Sequence, residues 1–225
     1  MANQKTIGIL GAGSMGTAIA FLIASQEKGK VKLWGRDFQL VSQIKETREN
    51  LKYLPGIKLP PAVFLTPDLK EAIEDADLIV LAVPSFAVRE MAERIFPFRE
   101  NLPPLLMISK GMEKDTSLLP FQVIEEVLNI KDILHLTGVG YAKEIAKEAA
   151  VTEVLSARNR TLLTHFKNLF QTRNIRIETS GDLLGVQLAG ALKNVMVIGI
   201  GTAGCVQQSL ELKEALIEVG VREMI

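Results

Sequence analysis

Short apolar runs alternate with longer amphipathic stretches along most of the chain. The apolar runs predict buried strands, and the amphipathic stretches predict helices with one face on a core. The predicted strands cover residues 7–10, 31–34, 77–84, 105–109, 133–137, 152–156 and 175–178. The predicted helices cover residues 16–22, 39–49, 69–73, 85–95, 118–128, 141–147 and 160–170. This alternation predicts an α/β fold with a doubly wound, mostly parallel sheet.

The segment at 77–84 is the clearest central strand of this sheet. Its apolar character is unbroken, which is typical of a strand covered on both faces. Val83, Pro84 and Ser85 stand at its carboxyl end. Open α/β sheets bind their ligands at that edge, so these residues are expected to border a ligand. By contrast, prolines at 55, 60 and 61 exclude a helix from the segment around 57–63, which is expected to be extended.

The pattern changes at residues 180–182, where a long helical run begins and continues to about residue 201. We therefore expect one domain over residues 1–180 and a helical second domain over residues 181–225. The run is apolar enough to suggest a membrane span, but it contains Gln187, Lys193 and Asn194. These side chains are costly in lipid, so a buried helix is the favoured interpretation.

A glycine cluster follows the first strand. Gly11, Gly13 and Gly16 have the spacing G-x-G-x-x-G and stand directly before an apolar helical pattern. In such a turn the first glycine permits the sharp bend, the second admits a pyrophosphate, and the third lets the helix pack on the strand. The helix N-terminus then favours a diphosphate. The motif predicts a Rossmann-like dinucleotide site, whereas a purely structural turn is the alternative.

The end of the second strand bears on cofactor preference. An acidic residue at this place binds the ribose hydroxyls of NAD, whereas an arginine accommodates the 2′-phosphate of NADP. Arg36 occupies the place and Asp37 follows it. We therefore favour NADP, or use of both cofactors, over strict use of NAD. A solvated arginine, or one that stacks on adenine, is the alternative.

Composition and charge narrow the class of protein. The chain has 225 residues, of which 48% are hydrophobic and 23% charged, as in ordinary globular proteins. Lys plus Arg equals Asp plus Glu at 26 each, so no basic field attracts nucleic acid. Cys205 is the sole cysteine, which excludes an intramolecular disulfide and a zinc site of several thiolates. The N-terminus lacks the long apolar region of a secretory signal, and a cytoplasmic location is expected.

Two lysines are candidates for chemistry. Lys110 follows the strand at 105–109 and can reach substrate or nicotinamide from that edge; a surface loop lysine is the alternative. Lys193 lies inside an apolar helix, in the same helical neighbourhood as Gly190 and Asn194. It is expected either to donate and accept a proton, or to extend from the helix flank into solvent. We interpret His135 as structural, and nothing indicates a metal site.

Several motifs occur together in one order. They are WGRD at 34–37, YLPG at 53–56, VPS at 83–85, ISKG at 108–111 and GVQLAGALKN at 185–194. With the glycine turn, they make the chain resemble NAD(P)-dependent glycerol-3-phosphate dehydrogenase over residues 5 to about 200. The segment that contains Lys193 is much more specific than the glycine turn.

The resemblance implies hydride transfer between NAD(P)H and dihydroxyacetone phosphate, giving sn-glycerol 3-phosphate for glycerophospholipid synthesis. It implies that Lys193 is the general acid/base, that Asn194 contacts substrate or cofactor, and that Lys110 lines the substrate site. The residues expected to bind NAD or NADP are Gly11, Gly13, Ser14, Met15, Gly16, Trp34, Arg36, Val83, Pro84, Lys110 and Ala142.

The family's helical domain continues well past residue 225, so the resemblance implies that residues 181–225 form a shortened version of it. The helix that starts at Leu183 is then expected to expose an apolar face unless a second chain covers it, which favours a homodimer. Two other functions stay open. One is a non-catalytic NAD(P)-binding protein, and the other is a dehydrogenase of another small hydroxy acid.

Overall fold

The computed structural model describes residues 4–206 and 210–223, and the side chain of Cys205 lies outside that description. Ten strands occur in the described residues. They are β1 (Lys5–Leu10), β2 (Gly29–Trp34), β3 (Glu49–Asn50), β4 (Leu54–Lys58), β5 (Val63–Thr66), β6 (Leu78–Leu81), β7 (Leu105–Met107), β8 (Ile133–Gly138), β9 (Val151–Ala157) and β10 (Ile175–Ser180).

Eight of these strands form one sheet in the order β10-β9-β8-β7-β6-β1-β2-β5, and β3 pairs with β4 separately. Every pairing in the large sheet is parallel except that of β8 with β9. The carboxyl ends of β1, β2, β6, β7 and β8 consequently meet along one rim. This arrangement confirms the predicted doubly wound, mostly parallel sheet.

Strand β6 lies between β1 and β7, and all four of its residues are buried. Its central place is as predicted. The edge strand β5, in contrast, was not predicted, because the expected extended segment ended at Val63, where β5 begins. Val63, Leu65 and Thr66 of this strand are buried, whereas Phe64 is half exposed.

Nine α-helices occur in the described part of the chain. They are α1 (Ser14–Ser25), α2 (Phe38–Thr47), α3 (Leu69–Ile73), α4 (Val88–Ile95), α5 (Pro120–Leu128), α6 (Ala142–Ala146), α7 (Arg160–Phe170), α8 (Leu183–Val206) and α9 (Leu210–Glu223). Polar side chains begin several of them, since Asp37, Asp68 and Asn159 each accept a hydrogen bond from an N–H of the first helical turn. The helix predicted over 85–95 is divided: residues Ser85–Ala87 form a 3-10 turn before α4.

Helix α8 leaves the sheet after its first three turns. Leu183, Gln187 and Gly190 are buried, with Gly190 beside β8 and Gln187 accepting a hydrogen bond from the N–H of Phe121 in α5, whereas Val195, Val197 and Ile198 are exposed. The interpretation of this run as a buried helix is therefore wrong for its second half. The stretch Leu183–Thr202 is long and apolar enough to cross a membrane by length and composition, and only 17% of it is buried. The expected apolar exposed face is present in this chain.

Candidate functional site

The glycine turn between β1 and α1 has little room for side chains. Gly11 has φ of 129°, and a Cβ added there would lie 2.5 Å from the carbonyl oxygen of Ala82. A Cβ added at Gly16 would lie 1.9 Å from the carbonyl oxygen of Gly11, so α1 packs against the turn with no room for a side chain there. A Cβ at Gly13, however, would meet no atom within 4 Å. The open space thus lies above the glycine that is expected to face a pyrophosphate.

The N-terminus of α1 is available to an anion. Gly13 is the N-cap residue, no side chain caps the helix, and its first turn contains no acidic residue. Ser14 and Met15 form this first turn, Ser14 exposed and Met15 half-buried. Because the first N–H groups of a helix lack partners within it and the helix dipole is positive there, this end suits a diphosphate.

A buried asparagine, Asn50, forms hydrogen bonds to the glycine turn and to α1. Asn50 Nδ2 donates hydrogen bonds to the carbonyl of Ala12 at 2.9 Å and to Thr17 Oγ1 at 2.8 Å. Its Oδ1 accepts from the backbone N–H of Tyr53 at 3.1 Å. Sequence reasoning missed this role, although Asn50 stands just before the YLPG motif.

We expect Asn50→Ala to lower the free energy of unfolding by about 3 kcal/mol, because it removes three hydrogen bonds from a buried place and leaves a cavity. Urea denaturation followed by circular dichroism measures the change. The exposed Asn101→Ala is the matched control, and it should change stability by less than about 0.5 kcal/mol. Equal stability of the two variants would contradict this role.

A cleft of about 330 Å³ lies above the carboxyl ends of β1, β2 and β6. Six of the expected cofactor residues line it, namely Gly11, Gly13, Trp34, Arg36, Val83 and Pro84. Sequence reasoning did not identify four further lining residues, which are Lys52, Tyr53, Phe86 and Arg94. These come from the β3–β4 connection and from the segment after β6, which only the folded chain brings to the same cleft.

The two charged residues at the end of β2, Arg36 and Asp37, make different contacts. The carboxylate of Asp37 accepts from the N–H groups of Gln39 and Leu40 at 3.0 and 3.1 Å, so it caps α2. The guanidinium of Arg36 is exposed at the cleft, and the described residues offer it no hydrogen bond or ion pair. The Arg36 guanidinium is therefore available to a ligand, whereas Asp37, which also lines the cleft, uses its Oδ1 to cap α2.

Two lysine amines meet at a neighbouring point of the rim. Lys110, just after β7, donates from Nζ to the carbonyl of Gly138 at 3.0 Å. Lys193, on α8, donates to the same carbonyl at 3.4 Å. Burial lowers the pKa of Lys110, the Lys193 ammonium lowers it further, and the Glu153 carboxylate partly opposes both effects. The structure thus joins two residues that are 83 positions apart in the sequence around one oxygen atom.

The remaining expected site residues lie nearby without joining either group. Asn194 follows Lys193, is exposed, and makes no side-chain hydrogen bond to any described residue. Ala142 is half-buried and begins α6, just past the turn after β8. Neither residue lines the cleft. Within the described residues, no group of three or more His, Cys, Asp or Glu side chains is arranged to hold a metal ion.

Two family models match the chain. The model described as the NAD-dependent glycerol-3-phosphate dehydrogenase N-terminus matches residues 6–163, and its C-terminus counterpart matches residues 182–225. The chain belongs to this dehydrogenase family. The first match contains the glycine turn and Lys110, and the second contains Lys193. The two matches together therefore cover both lysines of the pair.

Individual relatives agree with the family match. Glycerol-3-phosphate dehydrogenase [NAD(P)+] of Bacillus velezensis is 34% identical over 98% of this chain, and its Neisseria gonorrhoeae counterpart is 36% identical over 97%. A crystal structure of glycerol-3-phosphate dehydrogenase from Coxiella burnetii has a TM-score of 0.91 and 28% identity, covering 98% of this chain and 67% of its own. This chain spans 65% of the length of the Bacillus relative and 66% of the Neisseria relative.

Proposed function

We propose that the protein is an oxidoreductase that transfers a hydride between NAD(P)H and dihydroxyacetone phosphate, with sn-glycerol 3-phosphate as the product. The observation that carries this proposal is the meeting of Lys110 and Lys193 at the Gly138 carbonyl, beside a cleft that fits a dinucleotide. The relatives' names state the same reaction class for those proteins.

The residues present fit a nicotinamide dinucleotide. The open space at Gly13 and the uncapped start of α1 would hold its diphosphate, and Trp34, Arg36 and Val83 would border its adenosine half. When bound, the nicotinamide supplies the hydride. We propose that the same cofactor is also contacted by Ser14, Met15, Pro84, Lys110 and Ala142.

The lysine pair has a role that follows from the charge change in the reaction. Reduction of a ketone builds negative charge on its oxygen, and an ammonium within hydrogen-bond reach stabilises that charge and donates the proton. Lys193 is assigned this proton transfer. Lys110 holds the substrate beside it, and Asn194 contacts substrate or cofactor.

The direct test is turnover by the purified protein. Absorbance at 340 nm should fall when NADPH or NADH is mixed with dihydroxyacetone phosphate, and glycerol 3-phosphate should be formed in equal amount. Pyruvate and other small keto acids should give no oxidation above the blank. Dinucleotide binding without any ketone-dependent oxidation would instead support a non-catalytic NAD(P)-binding protein.

We further propose that NADP is bound at least as well as NAD, because Arg36 is available at the cleft while Asp37 caps α2. The variant Arg36→Ala is expected to weaken NADPH binding about tenfold and NADH binding less than about twofold, since only NADPH has a 2′-phosphate to pair with the guanidinium. Isothermal titration calorimetry with both nucleotides measures this difference.

Arg99→Ala is the matched control, since Arg99 stacks on Phe96 outside the cleft. It should leave both affinities unchanged. An equal loss of NADPH and NADH affinity in Arg36→Ala would show that Arg36 only stacks on adenine.

Four further proposals complete the functional assignment. We propose that the chain divides into domains over residues 1–180 and 181–225. We also propose that the protein is cytoplasmic and that it supplies a glycerophospholipid precursor. We also propose a homodimer, supported by the exposed Val195, Val197 and Ile198 on α8. A membrane span is not favoured, because Lys193 within the apolar stretch bonds to the end of β8 and Gly190 packs there.

A further inference from the structure

A glutamate is buried directly beneath the lysine pair. Glu153 lies on β9 opposite Gly138 of β8, in the antiparallel register of these strands. The residue is only 5% exposed. Charged side chains are rarely buried so completely without partners, so its neighbours are informative.

The backbone around Gly138 is shaped to accommodate this carboxylate. Its Oε1 accepts a hydrogen bond from the N–H of Gly140 at 2.9 Å. A Cβ added at Gly140 would lie 2.8 Å from that oxygen, and a Cβ added at Gly138 would lie 2.6 Å from Oε2. Two glycines therefore leave the space that the carboxylate fills, and one of them supplies a hydrogen bond to it.

The charges around the carboxylate are those of the lysine pair. Burial raises the pKa of Glu153, while the Gly140 N–H and the ammonium groups of Lys110 and Lys193 oppose the rise. In turn, Glu153 opposes the lowering of the Lys110 pKa. Two further titratable groups of the described residues lie here. Burial lowers the pKa of His135 to about 4, so it is neutral at pH 7, and the carboxylate of the exposed Glu144 accepts from the N–H of Tyr141 at the same turn.

We propose that Glu153 is a positioning residue for the two-lysine centre. Through Gly140 it fixes the turn whose Gly138 carbonyl accepts both amines, and its negative charge lets the two ammonium groups stand close together. The inference rests on the proposed function only for the chemical roles of Lys110 and Lys193.

The physical reason is electrostatic. Two cations that share one carbonyl in a partly buried place repel each other, and the interaction is screened less than at the surface. A nearby carboxylate reduces this cost and keeps Lys110 protonated to higher pH. The amide of glutamine keeps the acceptor oxygen for Gly140 but removes the charge, so Glu153→Gln separates the two contributions.

The test measures amine reactivity, because it needs neither cofactor nor turnover. The whole protein is treated with trace acetic anhydride over a range of pH, and acetylation of each lysine is measured by peptide mass spectrometry. In Glu153→Gln, Lys110 should be acetylated about threefold faster near neutral pH, since the neutral amine is the reactive form. The exposed Lys45 and Lys70 provide internal controls whose rates should not change.

A matched variant and a second readout separate positioning from a general loss of structure. Glu46→Gln removes an exposed charge on α2 and should leave Lys110 reactivity as in the unmodified protein. Glu153→Val should also speed hydrogen exchange at the Gly140 amide about tenfold, whereas Glu153→Gln should leave that amide protected. If the valine variant fails to fold, the nearly isosteric glutamine variant still tests the effect of the Glu153 charge on Lys110.

Unchanged or slower acetylation of Lys110 in Glu153→Gln would overturn the inference. Turnover assays then keep the two proposals apart. Reduction of dihydroxyacetone phosphate with an unchanged Lys110 profile would contradict the role of Glu153 alone. A shifted Lys110 profile in a protein without any ketone-dependent turnover would contradict the proposed function alone.

Discussion

Replacement of Lys193 by methionine is expected to lower kcat for dihydroxyacetone phosphate about a thousandfold, because a general acid contributes about 10²–10⁴ to such reactions. The amine donates to the Gly138 carbonyl at 3.4 Å from a half-buried place on α8. Methionine keeps the length and apolar character of the stem, so the fold and the dinucleotide cleft should persist. NADPH affinity should change by less than about threefold. Rapid-mixing assays of NADPH oxidation measure kcat, and calorimetry measures the affinity.

The control for this prediction is Lys143→Met, which removes an exposed lysine from α6 close to the same turn. It should leave kcat within about twofold of the unmodified protein. If the Lys193→Met protein keeps more than a tenth of the kcat of the unmodified protein, Lys193 is not the general acid. If only KM rose, the lysine would bind ground state and transition state equally.

Replacement of Gly13 by valine is expected to weaken NADPH and NADH binding at least about thirtyfold, while it lowers stability by no more than about 1 kcal/mol, the cost of a poorer N-cap on α1. A Cβ at this position would meet no atom within 4 Å, but the valine side chain would occupy the space where the diphosphate is expected to approach the backbone. Both nucleotides share that diphosphate, so both affinities should fall together, unlike the effect of Arg36→Ala. Calorimetry gives the affinities, and thermal unfolding gives the stability.

Gly16→Ala provides the contrasting result. Its Cβ would lie 1.9 Å from the carbonyl oxygen of Gly11, so α1 has to move away from the turn. We expect a loss of stability of about 1–3 kcal/mol or more together with weaker binding. A Gly13→Val protein that binds both nucleotides normally would show that the diphosphate lies elsewhere. Equal destabilisation by Gly13→Val and Gly16→Ala would contradict the conclusion that Gly13, unlike Gly16, faces open space.

The sheet was predictable because most of its strands are covered on both faces. Short continuous apolar runs such as that of β6 are typical of such strands. The edge strand β5 was missed because it has only four residues, closely follows two prolines, and exposes Phe64. So short a segment, with Phe64 exposed and Thr66 polar, gives a much weaker signal than the unbroken apolar run of β6.

The burial of α8 was predicted wrongly for a related reason. An apolar helix indicates that something covers it, but not which part of the molecule does so. In this chain the sheet covers the helix only as far as Gly190 and its near neighbours. Val195 and Ile198 stay exposed, although the sequence around them is as apolar as that of the buried turns.

The site was predictable one residue at a time, but its assembly was not. Lys110 and Lys193 were identified from their places at a strand end and in an apolar helix. That they share the Gly138 carbonyl depends on tertiary structure. Glu153 gave no signal, because its burial follows from the antiparallel register of β8 and β9, which a sequence pattern does not specify.

The central claim is that a nicotinamide dinucleotide lies across the carboxyl rim of the sheet, with its reactive ring beside the Lys193 amine. A crystal structure of the protein with NADPH and dihydroxyacetone phosphate tests it most directly. The account predicts the diphosphate on the first N–H groups of α1 and the ketone oxygen within about 3 Å of Lys193 Nζ. A dinucleotide bound outside the cleft, or a Lys193 amine that points away from the ketone oxygen, would contradict it.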